Sequence, residues 1–219
     1  MRLHLAELTR GQPFCAGLLL VHRGRLVLTL NDDHVAADVP RPAYRVGAVG
    51  GGQEVGENIW ECALREAHEE VGVALDLVPS PVTRFYDWEE RELRPVDHVE
   101  DEIAPLVVHR WENPHPDVPY KPGLPVGPYV YGADFLARSG DAVDLRPGDD
   151  LAALLLVPFE ALPGFDDEPT LAQVAAAGVD VVPARELAQH ARLWLHPNEG
   201  LHVTRPLLDD PAVADALGR

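Results

Sequence analysis

Short apolar runs separated by polar turns recur along most of the chain, and this pattern predicts a structure rich in β-strands. Residues 14–21 and 25–30 are the clearest runs, and the turn His22-Arg23-Gly24 between them predicts a β-hairpin. Further strands are predicted at residues 44–49, 73–78, 82–88, 129–136 and 151–157. The mixed order of strands and helices indicates an α/β or α+β layer fold rather than a helical bundle.

One helix is clearly delimited, between Asn58 and Gly72. Asn58 with Glu61 three residues later forms a capping box at its start, and Gly72 is a natural C-terminal stop. Its apolar residues recur at helical spacing and predict a buried face: they are Trp60, Ala63, Leu64, Ala67 and Val71. The chain reaches this helix through a glycine-rich loop at residues 50–52.

The pattern changes over residues 79–128, where prolines are scattered throughout and residues 87–102 are strongly acidic. A connection of this length is unusual inside a compact domain and is either functional or mobile. We therefore predict a long Pro-rich, acidic insertion over about residues 79–128.

Regular structure is predicted to return after this insertion. Helices are expected at residues 171–177 and 184–195, the second with Leu187, Ala188, Ala191 and Leu195 on one face. Residues 201–217 are expected to dock as a tail, so that about residues 183–219 form a C-terminal helical extension. The length favours a single domain over residues 1–219.

The formal net charge of −18 argues against nucleic acid as a partner, because phosphate backbones attract basic surfaces. Small phosphorylated ligands remain compatible with this charge, since a bound metal reverses the local field. No apolar stretch approaches the roughly 20 residues that span a bilayer, and the first residues show no signal pattern. Cys15 and Cys62 lie in apolar contexts and are interpreted as reduced core residues of a cytoplasmic protein.

Three glutamates crowd one face of the predicted helix: Glu66, Glu69 and Glu70 stand at i, i+3 and i+4. Like charges at this spacing destabilise one another unless a cation lies between them. Carboxylate oxygens suit Mg²⁺, which completes its shell with water and substrate phosphates. An ordinary solvated helix face is the competing interpretation, but it explains neither Arg65 among the acids nor the glycines ahead of them.

The same segment carries a complete Nudix box, at the spacing G-x5-E-x7-R-E-U-x-E-E-x-G-U, where U is aliphatic or small. The residues that match it are Gly51, Glu57, Arg65, Glu66, Glu69, Glu70, Gly72 and Val73. The chain thus resembles the Nudix hydrolase family, and the hairpin, glycine-rich loop, helix and later strands follow in the order of that fold. Outside residues 44–73 the resemblance is only approximate.

The resemblance implies a Nudix-type α/β/α sandwich with a mixed sheet and hydrolysis of a nucleoside diphosphate linked to another moiety. It implies metal ligation by Glu66, Glu69 and Glu70, with Mg²⁺ as the cofactor and Mn²⁺ as a substitute. Arg65 would orient and neutralise the carboxylates and act in catalysis with Glu66 and Glu69. Glu57 would support the junction of loop and helix. Many relatives pair as homodimers, so a homodimer is expected.

Several alternatives stay open at this stage. The general base is one of Glu66, Glu69, Glu100, Glu102, Asp149 and Asp150. The substrate is ADP-ribose, a nucleoside triphosphate, a dinucleoside polyphosphate or a nucleotide sugar. A different class of function is a Nudix-fold sensor that binds a nucleotide derivative without turnover. A third treats residues 87–102 as an acidic docking surface for a basic protein.

Aromatic residues in the predicted insertion offer a nucleobase a ring on which to stack, although core packing is the commoner role. The candidates are Phe85, Tyr86, Trp88, Trp111 and Tyr120. His98, His109 and His115 are irregularly spaced in a proline-rich setting, so we interpret them as surface histidines rather than zinc ligands.

Overall fold

The computed structural model describes residues 2–32, 35–98, 103–140 and 142–219. Its first elements are β1 (Arg2–Leu3), α1 (Leu5–Thr9), β2 (Phe14–His22), β3 (Arg25–Asn31), β4 (Ala43–Gly52), α2 (Ile59–Val71), β5 (Asp76–Val78), β6 (Thr83–Asp87), β7 (Glu92–His98) and β8 (Val107–Glu112). These are followed by β9 (Tyr129–Arg138), β10 (Ala153–Val157), a 3₁₀ helix (Phe159–Asp167), α3 (Leu171–Ala176), β11 (Asp180–Pro183), β12 (Arg192–Leu195), α4 (Leu201–Thr204), a second 3₁₀ helix (Arg205–Asp209) and α5 (Pro211–Leu217).

The strands of the described ranges form one mixed sheet in the order β1-β7-β6-β8-β9-β2-β4-β3-β10-β11, with β12 beside β4 and β5 beside β9. The predicted hairpin is confirmed, since β2 and β3 pair antiparallel with Val21 opposite Leu26. Its turn residues Arg23 and Gly24 have φ of 49° and 72°, values that suit a two-residue hairpin turn. The sheet places β2 at its centre, antiparallel to β4 and parallel to β9.

Alternation along β2 shows how the sheet is covered on both faces. Leu18 and Leu20 belong to the core under α2, whereas Leu19 and Val21 belong to the core that also contains residues of α3, α4 and α5. Each fully buried leucine of this kind contributes about 1.5–3 kcal/mol of transfer free energy. The predicted α/β/α sandwich is therefore confirmed.

Helix α2 forms as its sequence predicts. The side chain of Asn58 accepts hydrogen bonds from the backbone N–H groups of Trp60 and Glu61, and the Glu61 carboxylate accepts one from Asn58 N. Gly72 ends the helix in the left-handed region, at φ 72°. The predicted apolar face is buried with one exception, because Leu64 is 40% exposed.

The stretch over residues 79–128 is not one irregular connection, and this expectation is wrong. It contains β6, β7 and β8, which join the main sheet. Strand β6 had been predicted at residues 82–88, but β7 was missed because polar and charged residues dominate it. Within the described part of the stretch, residues 113–128 are the longest segment without helix or strand.

The helix predicted at residues 184–195 is also wrong. Residues 192–195 form β12, which pairs in parallel with β4, with Leu193 opposite Tyr44. Leu193, Trp194 and Leu195 are buried in succession and only Arg192 of this strand is exposed, so alternation is missing and the apolar spacing, with the buried Ala191 before it, resembles that of a helix. The C-terminal extension is accordingly part strand. Its tail docks as predicted, with Leu201, Leu208, Val213 and Leu217 buried in the core.

None of the helices within the described ranges has the length and hydropathy of a membrane span.

Candidate active site on helix α2

Arg65 is the hub of the glutamate face of α2. Its Nε donates to Glu57 Oε1 at 2.7 Å, and its Nη1 donates to Glu66 Oε1 at 2.7 Å and to Glu69 Oε2 at 2.8 Å. Its Nη2 donates to Gly52 O at 2.8 Å and thereby ties the helix to the end of β4. These carboxylates raise the pKa of the Arg65 guanidinium, so it stays charged. One cation therefore forms ion pairs with three carboxylates.

The carboxylates differ in environment. Glu69 is 56% exposed, whereas Glu66 is only 13% exposed. Burial raises the pKa of Glu66, although Arg65 opposes the change. Burial also raises the pKa of Glu70, to about 8; the hydrogen bond from Gly50 N at 2.7 Å opposes this, and the neighbouring glutamates add to it. Burial raises the pKa of Glu57, but Arg65 lowers it more. This pKa therefore lies below its ordinary value.

The donor set of this face suits a hard divalent cation. Glu66 lies against Gly51 and Glu70 against Gly50, so two carboxylates meet adjacent residues of β4. Within the described ranges no three His, Cys, Asp or Glu side chains already form a complete metal cage. Mg²⁺ does not require one, because it usually takes one or two protein carboxylates and completes its shell with water and phosphate. A cation here would offset both the burial and the neighbouring negative charges that raise the pKa of Glu70.

Gly51 makes room for Glu66. A Cβ at position 51 would lie 2.6 Å from the Glu66 carboxylate, whereas a Cβ at Gly52 would meet nothing within 4 Å. Gly51→Ala is therefore expected to displace the end of Glu66 and lower kcat about 10- to 100-fold, the range seen when groups that orient metal ligands are lost. Steady-state kinetics with Gly52→Ala as the matched control test this. Equal activity of the two variants would contradict the role given to Gly51.

Arg65→Lys is expected to weaken both fold and activity, because an ammonium cannot reproduce the fork that holds Glu57 and Glu66 together. We expect a loss of about 1–3 kcal/mol in the free energy of unfolding, measured by urea denaturation. Arg94 pairs with Glu90 and Glu92 on the exposed surface, where ion pairs contribute little, so Arg94→Lys is the control and should leave the free energy of unfolding nearly unchanged. Similar losses in the free energy of unfolding of both variants would show that the hydrogen bonds of Arg65 contribute no more to stability than an exposed ion pair.

A cavity of about 540 Å³ opens beside the glutamate face, within the size range of small-molecule sites. Residues 50–52 of β4 form the wall between this cavity and Glu66 and Glu70. The side chains that line it include Cys15, Arg45, Val49, Trp88, His109, Trp111, Tyr120, Asp134, His196, Asn198 and Glu199. Three of the five predicted stacking residues are among them, namely Trp88, Trp111 and Tyr120. Phe85 is buried in the core instead.

Glu199 was missed at the sequence level. It lies in the loop after β12, lines the cavity and accepts a hydrogen bond from Arg45 Nη2 at 3.0 Å. Its charge contributes to the raised pKa of Glu70. Because residues 184–195 were expected to form a helix, nothing in the predicted topology brought this loop beside β4. The polar run His196-Pro197-Asn198-Glu199-Gly200 after an apolar segment was the available signal.

The other base candidates are placed differently. Asp149 and Asp150 are exposed, in the turn whose Gly148 N donates to Glu70 O at the end of α2, and neither lines the cavity. Glu100 and Glu102 lie outside the described residues. In the acidic stretch, Asp87 is buried and bound to Arg110, so it is not part of a docking surface.

His109 and Cys15 depart from their predicted settings. His109 is buried rather than on the surface, and burial lowers its pKa to about 4; His115 is exposed as expected. Cys62 is a buried free thiol, as predicted. Cys15 is a free thiol that is only half-buried and lines the cavity.

A second cavity of about 530 Å³ adjoins the first and is lined mainly by apolar groups. It lies under residues 113–125, against Phe14 and Gln53. Cys15, Gly52, Trp111 and Tyr120 line both cavities, so these residues mark the boundary between the two compartments. The irregular Pro-rich segment therefore builds a wall of the site.

Comparison with known families gives a match to the NUDIX domain over residues 12–123, which contains β2 to β8 and the glutamate helix. No curated protein matches the sequence significantly.

Solved structures similar in fold include two NUDIX hydrolases and an Ap4A hydrolase. A NUDIX hydrolase from Nitrosomonas europaea has 11% identity and a TM-score of 0.42, covering 82% of this chain and 99% of its own. A NUDIX family hydrolase from Clostridium perfringens has 16% identity and a TM-score of 0.42, covering 69% and 84%. An Ap4A hydrolase from C. elegans has 15% identity and a TM-score of 0.40, covering 71% and 86%. Identities this low do not carry a substrate from those proteins to this chain.

Proposed function

Because the chain belongs to the Nudix family, whose domain matches residues 12–123 of its 219, we propose that it is a Mg²⁺-dependent hydrolase. It cleaves the diphosphate linkage of a small nucleoside diphosphate derivative. The observation that carries this proposal is the glutamate face itself: Arg65 binds Glu66 and Glu69, Gly50 N donates to Glu70, and residues 50–52 next to these carboxylates line a ligand-sized cavity.

The residues of the site divide the work of pyrophosphate hydrolysis. Glu66, Glu69 and Glu70 hold the cation, with Mn²⁺ as a substitute for Mg²⁺. When bound, the cation neutralises phosphate oxygens and makes a water molecule more acidic. Arg65 binds the carboxylates and also donates a hydrogen bond to Gly52 O, which fixes their position relative to β4. Gly51 leaves room for Glu66. A carboxylate must accept the proton of the attacking water, and among the residues that the structure describes the candidates are Glu66, Glu69 and Glu199.

The two compartments accommodate the two halves of such a substrate. The cavity between Trp88 and Glu199 takes the nucleoside, and the apolar compartment under residues 113–125 takes the second moiety. The diphosphate then passes residues 50–52, next to the glutamates. ADP-ribose, a dinucleoside polyphosphate and a nucleotide sugar each have two such halves, whereas a nucleoside triphosphate fills only one.

The proposal includes a cytoplasmic location, which the two free cysteines support, and a homodimer, which light scattering of the purified protein would detect.

The test is incubation of the purified protein with a panel of nucleoside diphosphate derivatives, in Mg²⁺ and in EDTA, with separation of the nucleotide products. We expect turnover of at least one compound in Mg²⁺ and none in EDTA. Binding without turnover of any compound would instead identify a nucleotide sensor, and turnover that survives EDTA would reject the assigned cation site.

A further inference from the structure

Asp134 lines the cavity proposed for the nucleoside, and one of its carboxylate oxygens is buried without a hydrogen-bond partner among the described residues. It is only 7% exposed, and within the described part of the chain its Oδ2 atom accepts no hydrogen bond. Its nearest basic group is Nε2 of His109, at 3.6 Å, which is too long for a hydrogen bond. Burial of an unpartnered carboxylate is costly, so its presence in the middle of β9 points to a ligand.

The fold is shaped around this carboxylate. A Cβ at Gly17 would collide with Asp134 Oδ1, and a Cβ at Gly200 would lie 3.0 Å from Oδ2. Gly132 likewise leaves room for the ring of His109, which a Cβ there would strike. Three glycines from separate parts of the chain therefore leave space around one acid and one imidazole.

Trp88 settles which nitrogen of His109 carries the proton. Its indole Nε1 can only donate, and it lies 3.1 Å from His109 Nδ1. Nδ1 must therefore accept, and the proton of the neutral ring is on Nε2. The cavity floor thus presents one N–H donor, on His109, next to the acceptor oxygens of Asp134.

Among nucleobases this order of groups matches guanine. Its pairing edge has a carbonyl oxygen followed by two neighbouring N–H donors. The carbonyl oxygen suits the N–H donor of His109, and the two N–H groups suit the carboxylate of Asp134. Adenine presents a ring-nitrogen lone pair at the middle position, and this lone pair would repel the carboxylate. The rings of Trp88, Trp111 and Tyr120 line the same cavity and suit a flat heterocycle.

We propose that Asp134 and His109 select a guanine-type base, with Asp134 accepting its two neighbouring N–H groups and His109 donating to its carbonyl oxygen. This proposal rests on the proposed function for the role of the cavity, and it narrows the substrate to guanosine diphosphate derivatives.

Calorimetric titration with nucleoside monophosphates tests the proposal, because these compounds have no phosphoanhydride bond to hydrolyse. At pH 8 we expect the protein to bind GMP about 10- to 100-fold more tightly than AMP, with IMP, which lacks the amino group, in between. Asp134→Asn should remove most of this preference and favour XMP, whose second carbonyl faces the new amide. Asp144→Asn is the control, since its side chain is 84% exposed.

Equal affinity for GMP and AMP in the parent would overturn the proposal, and so would an Asp134→Asn variant with an unchanged ratio of the two affinities. Trp88→Phe is the second variant, in case Asp134→Asn does not fold. It frees His109 to change tautomer and should lower the GMP-to-AMP ratio. Selective binding of GMP without hydrolysis of any diphosphate would reject the proposed function but keep this proposal, and hydrolysis without base preference would do the reverse.

Discussion

Replacement of Glu69 and Glu70 by glutamine is expected to lower Mg²⁺-dependent turnover on the order of 10²- to 10³-fold, the loss typical when a main electrostatic contribution is removed from an active site. Glutamine keeps the size of each side chain, and at position 70 its carbonyl oxygen can still accept the hydrogen bond from Gly50 N. The fold should therefore persist while the charge that attracts the cation is lost.

The matched control for this experiment is Glu61→Gln. It removes one negative charge from the same helix, and glutamine still serves in the capping box with Asn58. Initial rates of product release, with the affinity for a nucleoside monophosphate measured beside them, separate catalysis from binding. A double variant that retains more than about a tenth of the parent rate would exclude these glutamates as the principal metal ligands.

Asp134→Asn is expected to stabilise the protein at pH 8 by about 1–3 kcal/mol, an unusual direction for a buried substitution. Burial, with the charge of Glu199, raises the pKa of Asp134 from 3.8 to about 7, which corresponds to a penalty of roughly 4 kcal/mol for the ionised form. The buried amide of asparagine has its own cost of about 1–3 kcal/mol, which reduces the gain.

The pH dependence fixes the sign of this effect. Between pH 4 and 7 the folded protein binds a proton at Asp134 that the unfolded chain has lost, so the contribution of Asp134 to stability falls as pH rises through this range. The advantage of Asp134→Asn should be small below about pH 4 and complete above about pH 7. Urea denaturation of both proteins across this range measures it. If the parent protein is as stable as the variant at pH 8, the Asp134 carboxylate is already stabilised within the unliganded protein. Its burial would then not point to a ligand.

Local sequence signals were sufficient where a feature depends on neighbours along the chain. Helix α2, its capping box and its glutamate face all follow from spacing within residues 58–72, and the hairpin follows from two apolar runs and a turn. Strand β12 could not be recognised, because three of its four residues are buried in succession and leave no alternation of apolar and polar positions. Because β12 was not predicted, the position of the loop that carries Glu199 was not predicted either.

Signals between neighbouring residues of the chain could not identify Asp134 and His109 as the polar groups of the cavity. Asp134 is a single acid within the predicted strand 129–136, and its importance depends on Gly17 and Gly200, which are distant in sequence. His109 was expected on the surface because the histidines are irregularly spaced in a proline-rich setting, yet β8 lies inside the sheet between β6 and β9. Contacts between strands, rather than composition, decide both cases.

The central claim is that the glutamate face of α2 holds a divalent cation beside the diphosphate of a nucleotide. Anomalous diffraction from a crystal grown with Mn²⁺ and a non-hydrolysable nucleoside diphosphate analogue tests it most directly. We predict a manganese peak within coordination distance of at least two of the carboxylates of Glu66, Glu69 and Glu70, bridged to the phosphates of the analogue. A bound analogue with its phosphates away from α2, and no manganese peak on these glutamates, would contradict the account.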